Sequence, residues 1–141
     1  MKAADVQEAI YSVMSNDAAL VAELSSAWGM TAIFSDTPQE NAGDSSFYPF
    51  ISFGPSIDTP FDTKGSLGSE SLLQINVWSR SGGYLQVKSI TNMVVDLLHR
   101  TEYTIAGASL ISSGVESVEF GIDQDGETRR GFIRLNVVYE F

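Results

Sequence analysis

The chain has 141 residues, 43% of them hydrophobic and 18% charged, the make-up of one globular domain and not of a disordered segment. Acidic residues outnumber basic ones 18 to 8, a formal charge of −10 that argues against bulk binding to phosphate backbones. The absence of cysteine excludes disulfides, Fe–S clusters and thiol chemistry.

The first segment reads as a helix, because Val6, Ile10, Val13 and Met14 recur at spacings of three and four. Asn16-Asp17 interrupts that pattern and can cap a second short helix that carries Leu20, Val21 and Leu24 and ends near Trp28-Gly29. Thr31 to Ser35 reads as a short strand, and the polar stretch from Asp36 to Ser46 as a loop. Phe50 to Phe53 forms a second strand that Gly54-Pro55 limits or places on an edge. Ser56 to Gly68 is expected to be mostly a mobile loop. Ser69 to Ser79 alternates clearly, with Leu73, Ile75 and Val77 on one face. A helix from about Tyr84 to Arg100 follows, its buried stripe made by Val87, Ile90, Thr91, Val94, Leu97 and Leu98. Ser109 to Ile122 and Thr128 to Phe141 are two long strands joined at Asp123-Gln124-Asp125-Gly126, a hairpin signal. Val115, Val118 and Phe120 are expected to face Phe132, Leu135, Val137 and Tyr139. The order predicts a single α+β domain over residues 1–141: a mostly antiparallel β-sheet, helices packed on one face, and a long C-terminal β-hairpin. No apolar run is long enough for a signal peptide or a membrane span, so assembly in the cytoplasm, with no membrane partner, is expected.

The chain offers little catalytic material. His99 is the only histidine, sits at a helix end where positive charge suits the dipole, and has no G-x-S-x-G elbow to serve. Asp123, Asp125 and Glu127 fail as a calcium loop, because Gly121 and Phe132 occupy the positions where ligands belong. Gly65 to Gly68 and Ser81 to Gly83 match no phosphate-binding fingerprint. Glu116 and Glu119 lie three apart on a strand and point to opposite faces unless a bulge intervenes, and Arg129 and Arg130 also point opposite ways. Trp28 and Trp78 read as packing residues. No catalytic residue, cofactor or metal ligand is assigned.

Three stretches in order carry a resemblance. They are Tyr48 to Gly54 (YPFISFG); Thr59 to Lys64 (TPFDTK) with the strand ending Asn76-Val77-Trp78-Ser79-Arg80; and Gly82-Gly83 opening a helix with Lys88-Ser89-Ile90, followed by a hairpin whose second strand begins near Arg130-Gly131. Together they resemble the tail-completion, or tail-terminator, family of siphovirus-like phages, prophages and gene-transfer particles. The acidic loop from Asp36 to Asp44 departs from the shorter versions expected of that family.

The resemblance implies a non-enzymatic virion protein at the head-proximal end of the tail. It would stop tube growth as a homo-hexameric ring and meet the tail tube protein on one side and a head-completion or neck protein on the other. DNA would pass through without specific binding. Six copies would carry roughly −60, and a lumen of that sign repels DNA. Asp58, Phe61, Asp62, Lys64, Arg80, Arg129 and Arg130 are the candidate contacts to neighbouring subunits or the tube. Two alternatives remain: a head-closure or connector protein of the neck, and a small cytosolic ligand-binding module or enzyme. Loss of a terminator gives tails of uncontrolled length, whereas loss of a connector leaves normal tails unattached to heads.

Overall fold

The computed structural model describes residues 2–41 and 43–141, so Met1, and Ala42 of the predicted acidic loop, lie outside the described residues. Its elements are α1 (Ala3–Ser15), α2 (Ala18–Glu23), β1 (Ile33–Phe34), a 3-10 turn (Ser45–Phe47), β2 (Phe50–Pro60), β3 (Gly68–Ser79), α3 (Leu85–Leu98), β4 (Ser109–Ile122) and β5 (Arg129–Glu140). The strands form one sheet in the order β1-β2-β3-β5-β4, antiparallel except for the short β1–β2 pair. The fold is therefore α+β with a long C-terminal hairpin, as the pattern predicts.

Alternation decides which face is buried. Leu73, Ile75 and Val77 of β3 lie beside Leu135, Ile133 and Gly131 of β5, and all except the glycine belong to the hydrophobic core. Against this face packs α3 through Val87, Ile90, Thr91, Val94 and Leu98, and α1 adds Val6, Ile10 and Met14. Leu97, expected in the stripe, is only half-buried. The contact of α3 with β5 is close. A Cβ on Gly131 would lie 2.6 Å from Thr91 Oγ1, so only glycine admits the helix at that distance.

Local signals account for most boundaries. The Asp17 carboxylate accepts from Leu20 N–H at 3.1 Å and starts α2. That helix stops at Glu23, earlier than expected, because Leu24 turns extended and Ser25 is tied to the 46–49 segment by bonds to Pro49 O and Ser46 O. Gly29 does adopt a left-handed conformation, φ 71°, but beyond the helix. Trp28 fills the space left, edge-on to Phe34 and Phe47, with its indole N–H on Phe47 O at 2.8 Å.

The expected mobile loop at Ser56 to Gly68 is corrected. β2 runs on to Pro60, and residues 61–67 make a tight hairpin closed by Thr63 and Ser66. Pro55 is tolerated because it falls in the register shift between Phe53 and Ser56, where its missing N–H breaks no ladder. The uncovered sheet face corrects two further expectations. Phe132 lies there, one residue out of phase with Leu135, Val137 and Tyr139. A second bulge, between Val115 and Ser117, brings Glu116 to this face, where Asn136 Nδ2 donates to it and to Glu70, and Glu119 pairs with Phe132 on the same side. The two glutamates therefore do share a face.

His99 is the C-cap of α3, and its ring is engaged across the fold. Its Nδ1 accepts from Val115 N–H at 2.9 Å, and Arg100 N–H donates to Ser113 O at 2.8 Å, so the end of α3 is stitched to the edge strand β4. No helix among the described residues is long and apolar enough to cross a membrane.

Candidate assembly surfaces

The candidate contact residues fall into two groups at opposite ends of β3, which is about 37 Å long at ~3.4 Å per residue. Asp58, Phe61, Asp62 and Lys64 belong to the β2–β3 hairpin end. Asp58 Oδ1 accepts from Ser71 Oγ at 2.6 Å, and the Phe61 ring lies on Gly68, while Asp62 and Lys64 are exposed at the tip. This end is closed by Phe61 N–H on Gly68 O and by Phe141 N–H on Leu67 O. It is a hydrogen-bonded hairpin end.

Arg80, Arg129 and Arg130 gather at the other end, where β3 finishes and β5 begins. Arg80 is engaged within the molecule. Its Nε donates to Thr128 Oγ1 at 3.0 Å, its Nη2 meets Asp125 at 3.3 Å, and its guanidinium lies 4.7 Å from the Tyr48 ring centroid. Burial pushes the Tyr48 hydroxyl up from its usual range. The Asp125 carboxyl is held well below the usual carboxylate range, first by Thr128 N–H, then by the Thr128 hydroxyl and Glu127 N–H, with Arg80 adding attraction. Asp125 thus caps the hairpin turn, and Gly126 takes the positive φ, 69°, that the Asp-Gly signal implied. Arg129 and Arg130 do point to opposite faces, over Tyr84 at 5.7 Å and Phe132 at 4.5 Å.

The sheet has two open edges. Among the described residues β4 pairs with β5 alone, and His99 and Arg100 close its middle. At the far side β1 pairs with Ile51 and Ser52, and the rest of β2 has no strand partner on that side among the described residues. Between α1 and β1 runs an apolar groove of about 500 Å³, lined by Tyr11, Met30, Phe34 and Phe53, with Glu8 at its margin. A second cavity of about 430 Å³ is lined by Thr37, Gln39 and Gly43 together with Tyr48, Trp78 and Arg80. The groove residues and the exposed start of α3 were missed in the sequence. Their one signal is a large apolar side chain off the helical or strand stripe, as at Met30 and Leu85.

The comparisons with known proteins bear on what these surfaces serve. The family model described as tail completion protein gp17 matches residues 8–140. The tail completion protein gp17 of Bacillus phage SPP1 is 26% identical over 98 residues, which cover 68% of this chain and 71% of that protein. A chain in a solved structure of the virion of a native gene transfer agent particle superimposes with a TM-score of 0.83 at 19% identity, covering 99% of this chain and 98% of that one, and so shares the fold. A family match that runs through nearly every element, from α1 to the end of β5, leaves one conclusion: this chain belongs to the tail completion protein gp17 family.

Proposed function

We propose that the protein caps the head-proximal end of the tail tube as a homo-hexameric ring, ends tube polymerisation and presents the surface on which head-completion proteins dock. Membership of the tail-completion family makes it a structural protein of the virion tail, and that match over residues 8–140 carries the reading. The terminator role, the ring and the partners go further. What supports them is a sheet open at two opposite edges, since a ring of identical subunits needs two different, mutually complementary surfaces. The two ends of the strands supply separate contacts. The hairpin end, with Asp58, Phe61, Asp62 and Lys64, meets one axial neighbour, and the end with Arg80, Arg129 and Arg130 meets the other. The protein works without catalysis or cofactor, and its formal charge of −10 keeps DNA in the channel from adhering.

Negative-stain imaging of the purified protein, alone and with polymerising tube subunits, tests the reading. Six-fold rings, and tubes that stop growing when the protein is added, are expected. Tubes that elongate at an unchanged rate would contradict it.

A further inference from the structure

The two edges of the sheet carry unlike surfaces. Beside β4, the start of α3 stands out from the molecule. Leu85 is 84% exposed, Tyr84 beside it is exposed in part, and Ile122, paired with the Arg129 that stands over Tyr84, is exposed too. Two cations join them: Lys88 Nζ lies 5.8 Å from the Tyr84 ring centroid and 5.4 Å from that of Phe120, and Arg129 stands over Tyr84. Neither cation has an acidic partner within ion-pair distance among the described residues. Exposed aromatic and aliphatic side chains with an arginine among them have the make-up of an interface core, and a lysine beside them suits its rim.

At the opposite edge, the groove between α1 and β1 is concave and apolar, and Glu8 is the one charged residue lining it among the described residues. Met30, on its wall, is 65% exposed. A patch with an exposed leucine and two cations thus matches an apolar hollow bearing an acid. In a chain with only eight basic residues, the unpaired Lys88 and Arg129 meet a surplus of acid on any second copy.

We infer that the α1–β1 groove receives Leu85 of a second copy of this chain, with Lys88 facing Glu8. Because the two surfaces lie at opposite edges of one sheet, the contact is heterologous and repeats from copy to copy. It names the lateral contact of the proposed ring and rests on that reading only for closure.

The chain has no cysteine, so single thiols report contact cleanly. Leu85→Cys and Met30→Cys are made in separate chains, one carrying a mass tag, then mixed under a mild oxidant. Heterodimers are expected to outnumber either homodimer by roughly tenfold, because docking raises the local thiol concentration. Lys88→Glu in the Leu85→Cys chain lowers the yield by roughly fivefold, and Glu8→Lys in the other chain restores it. All four positions are exposed, so the fold tolerates these changes. Heterodimers no more abundant than homodimers, or a yield indifferent to the charge at position 88, would overturn the contact. Heterodimers without rings leave the contact standing and remove closure, whereas rings without heterodimers leave the ring and remove this contact.

Discussion

Gly131→Ala probes the seat of α3, which aims Leu85 and Lys88 outward. The added Cβ would lie 2.6 Å from Thr91 Oγ1 and 3.2 Å from a Phe120 ring carbon. A relaxed contact needs about 3.5 Å, so roughly 0.9 Å must be found. Thr91 is fully buried on α3, so relief requires a rotamer change inside the packed core or a shift of the helix. Overpacking of this kind costs about 1–3 kcal/mol, with a fall of roughly 2–4 °C in Tm for each kcal/mol at this chain length. Urea titration followed by far-UV circular dichroism measures the loss. Thr91→Ala removes the opposing atoms, so the double variant should lose less than the sum of the single ones by about 0.5–3 kcal/mol. A Gly131→Ala protein as stable as the wild type, or two changes that simply add, would refute the close approach.

Other perturbations test other parts of the fold. Tyr139 is fully buried and its hydroxyl accepts from Lys2 N–H at 2.8 Å, so Tyr139→Phe should cost about 1 kcal/mol and speed amide exchange in the first turn of α1; unchanged exchange at Val6 would speak against it. Asp125 has its carboxyl held below its unfolded value, so the stability it adds is present above about pH 4 and is lost as pH falls through the folded value. The stability gap between wild type and Asp125→Ala, measured by urea titration, should therefore narrow steadily below pH 4; a gap that widens in acid would reverse the sign. Gly68→Ala would place a Cβ 2.9 Å from Phe61 O, a backbone atom, so the β2–β3 hairpin tip should loosen; faster proteolysis at 61–67 is expected, and unchanged cleavage would argue otherwise.

The sequence is most readable where one face is buried throughout. The alternation of β3 and the stripe of α3 both face the core, and the Asp-Gly turn has a local chemical cause, so all three stand where expected. The second half of β2 is different. No helix covers it, so Ser56 to Pro60 shows no apolar alternation, and strand pairing with β3 outweighs the discouragement of Pro55. The shared face of Glu116 and Glu119 depends on a bulge, and a one-residue slip leaves no mark in composition. For His99 the position at a helix end was legible, but its bond to Val115 is a tertiary contact across sixteen residues. The surfaces proposed for assembly are least legible. Asp58 to Lys64 and the arginines were identifiable as polar or aromatic residues near turns, but the groove joins α1 to a strand some twenty residues away, and only the fold brings Glu8 and Met30 together.

The terminator role is tested most directly by tail length. Particles assembled without this protein should be imaged by electron microscopy and their tails measured one by one. Termination by this protein predicts a broad distribution, with tails extending well beyond the normal length and lacking heads. Tails of uniform, normal length that fail to join heads would contradict it and place the protein in the neck instead.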